Sequence, residues 1–120
     1  MTTPMVIHIV DDNDPVRDAL SFALTVAGFQ TAVYRDADDF LQRRENGRGV
    51  LICDIRMPGM NGFELTRSLR QECSELTMIL VTGHFDKECQ AHGKSAGANL
   101  ILTKPVDLEE LISEIARITA

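Results

Sequence analysis

Asp11, Asp12 and Asp54 are three acids that each close a short apolar run, Val6 to Val10 for the first two and Val50 to Cys53 for the third. Further along, the runs Met78 to Val81 and Leu100 to Leu102 lead into Thr82-Gly83 and Thr103-Lys104. Short continuous apolar runs predict strands buried on both faces, and ligands of open parallel sheets sit outside the carboxyl ends of such strands. The predicted rim therefore carries three carboxylates, a hydroxyl and an ammonium. Carboxylates a few ångströms apart raise one another's pKa unless a cation joins them. Oxygen-only ligation by a few carboxylates, completed by water, is the habit of Mg²⁺, which usually shares such sites with phosphate. This points to phosphoryl transfer onto a carboxylate, with Asp54 as acceptor, Asp11 and Asp12 on the metal, and Lys104 and Thr82 on the phosphoryl oxygens.

The segments between the runs have helical spacing. Val16, Leu20, Ala23, Leu24 and Ala27 form one apolar stripe, and Leu108, Leu111, Ile112, Ile115 and Ile118 form another. Pro15 suits a first helical position, Gly28 a C-terminal stop, and Asp107 with Glu110 a capping box. Asp36 to Arg44 and Gly62 to Cys73 fill two more helical slots, while Gln30 to Tyr34 is a weaker, shorter strand candidate. The alternation predicts an α/β fold, a parallel sheet with helices on both faces. The fourth helical slot, Asp86 to Ala96, holds Gly93 and offers only Cys89, Ala91 and Ala96 as small apolar contacts, so it is expected to be short or frayed. Phe22, Phe29, Phe40 and Phe63 are core candidates. His8 reads as a satisfied sheet-face histidine and Cys53 as a small buried residue.

At 120 residues, with 44% apolar and 25% charged, the chain predicts one domain over residues 1–120 with a single core. Eighteen acids against twelve bases leave a net charge of −6, the wrong sign for nucleic-acid contact through counterion release. The three cysteines, Cys53, Cys73 and Cys89, have neither metal-ribbon nor secreted-scaffold spacing and fit reduced thiols. The longest uncharged stretch, Ala19 to Tyr34, is too short to span a bilayer. Met1 to Met5 lacks the basic start of a signal peptide. The chain is expected to be cytoplasmic and unprocessed, with no membrane contact.

Four pieces now stand in order at predicted strand ends: Val6-Ile7-His8-Ile9-Val10-Asp11-Asp12, Leu51-Ile52-Cys53-Asp54 running on through Ile55-Arg56-Met57-Pro58-Gly59-Met60-Asn61-Gly62, Val81-Thr82-Gly83, and Thr103-Lys104-Pro105. Together they resemble the receiver domain of bacterial two-component response regulators, over essentially the whole chain. The resemblance implies a flavodoxin-like, doubly wound sheet of five parallel strands in the order 2-1-3-4-5, flanked by five helices. It implies that Asp54 takes a phosphoryl group from a sensor histidine kinase. Mg²⁺, or Mn²⁺, would be held by Asp11, Asp12, Asp54 and the backbone carbonyl of Arg56. Thr82 would move onto the phosphoryl group, and Lys104 would pair with it before a cis Pro105. Pro58 and Gly62 would shape the loop after the acceptor. Such a chain is a switch that assists its own phosphorylation and dephosphorylation rather than a turnover enzyme. Its fourth helix, fifth strand and fifth helix would carry the change to a homodimer or a downstream output domain.

Two positions depart from the family. Ile101 stands where members commonly carry an aromatic residue whose rotation reports phosphorylation, and Val106 replaces the phenylalanine often found after Lys-Pro. Arg56 and His84, two positions beyond Asp54 and Thr82, flank the approach of hydrolytic water and are expected to tune phosphoryl lifetime. Ile101 and the poor fourth helix keep open a second reading, an interaction module of the same fold that works without phosphorylation. A third is a haloacid dehalogenase-like, Mg²⁺-dependent phosphatase, suggested by Asp12-Asn13-Asp14-Pro15-Val16. That pattern starts one residue late, in a chain shorter than the fold normally needs. His84, Cys89 and His92 lack a fourth ligand for a soft metal and read as surface residues.

Overall fold

The computed structural model describes residues 5–44, 49–72 and 74–119. Strand and helix alternate through β1 (Val6–Val10), α1 (Asp14–Val26), β2 (Gln30–Tyr34), α2 (Ala37–Arg43), β3 (Gly49–Asp54), α3 (Gly62–Gln71), β4 (Thr77–Thr82), α4 (Lys87–Ala96), β5 (Leu100–Thr103) and α5 (Leu108–Thr119). All pairings are parallel, and the sheet order is β2-β1-β3-β4-β5, as expected. Among the described residues no helix is long and apolar enough to cross a membrane.

Alternation along the strands sends side chains to both faces of the sheet, so the buried residues form two clusters rather than the single core expected. Ile7, Ile9, Ile52, Ile79 and Val81 pack with Leu24 of α1 and Leu111 and Ile115 of α5. Val10, Leu51, Cys53, Met78 and Leu80 pack with Phe40 of α2 and Leu65 and Leu69 of α3. Leu24, Leu111 and Ile115 are fully buried, and each such side chain contributes about 2 kcal/mol relative to exposure. Every residue of β3 is buried, which is why its sequence is an unbroken apolar run.

β2 is as long as β1, five residues, although its sequence signal is weaker. It is an edge strand paired only with β1, and of its residues only Tyr34 is buried. Tyr34 closes an aromatic group with His8 and Phe40, and its hydroxyl lies 3.1 Å from His8 Nδ1, so the buried histidine is partnered as expected. Phe22 corrects one expectation. It is 73% exposed on the outer face of α1; on the inner face Leu24 is buried with Leu20 and Ala23 half-buried beside it, and Val16 and Ala27 of the expected stripe are exposed as well. Phe40 is fully buried, and Phe29 and Phe63 are partly buried. Cys73 lies outside the described residues.

α4 corrects a second expectation. It is a ten-residue helix, the length of α3, and both its ends are capped. Asp86 accepts from the Cys89 amide at 2.7 Å, and Gly97 closes the other end in the left-handed region at φ 104°. Gly93, the apparent flaw, is a contact: a Cβ there would collide with Cδ1 of Ile101 on β5. Arg70 of α3 secures the helix end, donating to the carbonyls of Gly97, Ser74 and Leu76 and to the Asn99 side chain. Gly93→Ala is therefore expected to lower stability by about 1 kcal/mol in a urea titration, although alanine is the better helix former by a similar amount. Adding Ile101→Val, which removes the colliding methyl, should recover most of the loss. A Gly93→Ala protein more stable than wild type would show that the close approach does not govern this position.

Candidate functional site

Strand order reverses between β1 and β3, and the crevice at such a reversal is where open α/β sheets bind ligands. Register brings the site residues to that crevice. Val10 pairs with Cys53, Asp54 with Val81, and Thr82 with Thr103, so Asp11, Asp54, Thr82 and Lys104 all stand at the carboxyl ends of adjacent strands. Asp11 and Asp54 are buried and Asp12 is exposed. One carboxylate oxygen from each of the three lies within 4.8 Å of the others. Lys104 Nζ sits 3.2 Å from Asp11 Oδ2 and 3.5 Å from Asp54 Oδ1.

Burial pushes the Asp54 carboxyl above its ordinary pKa; Lys104 opposes this, while Asp11 and Asp12 reinforce it. Burial works against the Lys104 charge, but Asp54 and Asp11 outweigh it and hold the ammonium above its ordinary value. One ammonium thus faces three carboxylates. An oxygen-only donor set with surplus negative charge fits a hard divalent cation such as Mg²⁺ or Mn²⁺. Burial also drives the adjacent Cys53 thiol far up, leaving it an inert core residue.

Asp11 is held at every polar group. Its amide donates to the Tyr34 carbonyl at 3.2 Å, and Oδ1 accepts from the Asn13 amide at 2.9 Å. Oδ2 accepts from Lys104, and the carbonyl accepts from Arg17 at 3.2 Å. After Asp54 the chain turns back through Pro58 and Gly59 into α3, where the Gly62 amide donates to the Ile55 carbonyl at 2.9 Å. Gly62 is required here by space rather than by φ: a Cβ would stand 2.8 Å from the Asp54 carbonyl oxygen and 2.9 Å from Ile55 Cα. Lys104-Pro105 is cis, as the resemblance implied.

Thr82 is buried beside these groups, but its hydroxyl donates to the His84 carbonyl and accepts from the His84 amide, both at 3.1 Å. The side chain of His84 is exposed and lies 3.4 Å from Asp86, and Arg56, two residues past Asp54 in the chain, is exposed. Ile101 is half-buried against α4 rather than part of the acidic rim. Asp14, the second acid of the phosphatase-like pattern, pairs with Arg17 at 2.9 Å and stands outside the acidic group. Among the described residues, Asp11, Asp12 and Asp54 form the single set of three potential ligands, so His84, Cys89 and His92 make no metal site; the His92 ring packs edge-on against Phe63.

Sequence reasoning missed Arg17 and Asn13. Arg17 had a signal: it lies three residues before Leu20 and seven before Leu24, a cation on the apolar face of α1.

Residues 7–116 match the family model of the response regulator receiver domain, and the chain belongs to that family, the receiver domain of two-component signal transduction. The transcriptional regulatory protein FixJ of Rhizobium meliloti (strain 1021) is 39% identical over 116 residues, covering 96% of this chain and 57% of that protein. The crystal structure of FixJ-N superposes with a TM-score of 0.86 at 38% identity, over 97% of this chain and 94% of that one. The BeF3-activated receiver domain of DrrB, from Thermotoga maritima, gives 0.88 at 27% identity over 98% of each chain. The chain spans little more than half the length of the curated FixJ relatives it matches.

Proposed function

We propose that this domain accepts a phosphoryl group on Asp54 and converts that event into a change on the face formed by α4, β5 and α5. The observation that carries the reading is a buried Asp54 at the strand-order reversal, with oxygens of Asp11 and Asp12 within 4.8 Å and the Lys104 ammonium at 3.5 Å. Mg²⁺ or Mn²⁺, held by Asp11, Asp12, Asp54 and the Arg56 carbonyl, would neutralise charge on the incoming phosphoryl oxygens.

The residues of the chain do the rest. An Asp54 carboxylate oxygen attacks phosphorus as the bond to the donor nitrogen breaks; the departing imidazole keeps that electron pair and takes a proton from solvent. Lys104, already between Asp54 and Asp11, stays beside the new negative charge. Thr82 exchanges its bonds to the His84 backbone for a bond to a phosphoryl oxygen. The loop thereby released leads directly to Asp86, the N-cap of α4, and Ile101 against Gly93 passes the shift between β5 and α4. Arg56 and His84 flank the site and set how readily water reaches the phosphoryl group. The similar DrrB domain is known in a BeF3-activated form, and BeF3⁻ has the shape and charge of a phosphoryl group.

The phosphodonor in this reading is a sensor histidine kinase, met in the cytoplasm, and the recipient of the change is an output domain, a partner or a second copy. FixJ is a transcriptional regulatory protein longer than the matched region, which is consistent with a separate output. The domain itself is a stoichiometric acceptor.

Incubation with Mg²⁺ and acetyl phosphate, read by intact mass, tests the proposal. Wild type is expected to gain one phosphoryl group and Asp54→Asn none. No gain in a folded wild type would favour an interaction module that works without phosphorylation. Turnover of phosphate esters that depends on Asp12 would favour a phosphatase.

A further inference from the structure

Arg17 is the most enclosed of the charged side chains around the β1–α1 turn, after Asp11. Its side chain is 12% exposed, although an arginine in the first turns of an amphipathic helix ordinarily reaches into solvent. Its position relative to Leu20 and Leu24 sends it toward the sheet, where it folds back beneath the turn. Nη1 lies 2.9 Å from Asp14 Oδ1 and donates to the Asp11 carbonyl at 3.2 Å. Nε is 3.5 Å from Asp18 Oδ1, too poorly placed for a hydrogen bond, and is buried without a partner. Leaving that donor unsatisfied is unfavourable, and a surface pairing with Asp14 alone contributes well under about 1 kcal/mol, so it does not account for the burial.

The bond to the Asp11 carbonyl does account for it. That carbonyl belongs to the planar peptide joining Asp11 to Asp12, so fixing its oxygen fixes the rotation between the two residues. The Asp11 carboxylate is held independently by the Asn13 amide and Lys104. Asp12 is exposed and, among the described residues, its carboxylate accepts no hydrogen bond; its direction depends on the peptide behind it. We infer that Arg17 is a positioning residue for cation binding: its guanidinium clamps the Asp11–Asp12 peptide and so holds the Asp12 carboxylate in reach of an ion shared with Asp11 and Asp54. The inference rests on the reading of these acids as cation ligands.

Calorimetric titration of Mg²⁺ and Mn²⁺ into the unphosphorylated protein tests it, with melting temperatures measured in metal-free buffer alongside. Loss of a hydrogen-bonding partner behind a metal ligand typically weakens affinity by about tenfold or more, and Arg17→Met is expected to do so. Arg17→Lys keeps the charge but lacks the fork that reaches two acceptors, so about a threefold loss is expected. Asp14→Asn should bind within about twofold of wild type, since the clamp on the peptide remains. In an Asp12→Asn background, Arg17→Met should weaken Mn²⁺ binding no further. The inference is overturned if a folded Arg17→Met, or Arg17→Lys should the former not fold, binds like wild type. It is equally overturned if the loss persists undiminished with Asp12→Asn, because Arg17 would then act by a route that does not pass through Asp12. A wild type that takes up neither ion overturns the cation-site reading itself, and this role with it.

Discussion

Lys104→Met is expected to destabilise the metal-free protein by about 2 kcal/mol at pH 7.5, and by markedly less near pH 4.5. Methionine keeps the length of the side chain and removes the ammonium that lies between Asp11 Oδ2 and Asp54 Oδ1. Removing one partner of a fully buried pair costs about 3–5 kcal/mol; the Lys104 side chain is 28% exposed, which scales the effect down. The pH dependence follows from Asp54. Burial already raises its folded-state pKa above the ordinary 3.8, and Lys104 is the main influence holding it down. Without Lys104 the folded carboxyl binds its proton still more tightly than the unfolded one. Stability then falls as pH rises from 3.8 through the elevated folded value, and it returns as pH falls through the same window. Urea titrations at the two pH values check this. Equal losses at both would mean that Lys104 acts through packing of its stem. Added Mg²⁺ should restore part of the loss at pH 7.5, because an ion held by Asp11, Asp12 and Asp54, as proposed, would bind the folded state alone.

Gly62→Ala is expected to be the more damaging of two neighbouring substitutions, with a loss of about 3 kcal/mol and a fall in melting temperature on the order of 10 °C. The added Cβ meets the Asp54 carbonyl oxygen at 2.8 Å and Ile55 Cα at 2.9 Å, which are backbone atoms that move only if the end of β3 moves. Leu80 Cδ2, at 3.2 Å, closes the remaining side. The displacement falls on Asp54, so phosphoryl uptake from acetyl phosphate, with Asp54 as the proposed acceptor, should drop along with stability. Gly59→Ala is the comparison. Gly59 has a left-handed φ of 76° but open space around it, so its replacement costs only the backbone preference, about 1 kcal/mol. Thermal melts of both variants decide between space and φ. A Gly59→Ala protein less stable than Gly62→Ala would mean that backbone conformation dominates this loop.

The acidic site was legible because its residues follow unbroken apolar runs. A strand buried on both faces must be apolar throughout, so the polar residue that ends it is conspicuous, and a parallel sheet delivers all such ends to one rim. Asp11, Asp54, Thr82 and Lys104 were found in this way. Arg17 was passed over because an arginine near acids at a helix start reads as a surface pairing; its burial under the turn is visible only once α1 lies on the sheet. The fourth helix was misjudged for a related reason. Intrinsic propensity counts glycine as a defect, yet Gly93 is the hole that Ile101 fills, and Arg70, from another helix, holds the end near Gly97. Phe22 was misplaced because an apolar residue one position off the stripe of a helix is indistinguishable in composition from one on it.

What the amino-acid sequence determined by itself was the alternation of strand and helix, the inward stripe of α5, and the set of residues that arrives at the carboxyl rim. Those follow from local periodicity and from the demand that apolar runs be buried. The tertiary structure decided the distances: oxygens of the three carboxylates within 4.8 Å of one another, the Lys104 ammonium between two of them, and the Thr82 hydroxyl turned to the His84 backbone rather than to Asp54. It also decided which charges are buried, and hence that Asp54 is the carboxyl pushed up. The physical reason is that electrostatic energy depends on separation and solvent exposure. Residues as far apart in the chain as Asp11 and Lys104 acquire both only when the register of β1, β3, β4 and β5 is set.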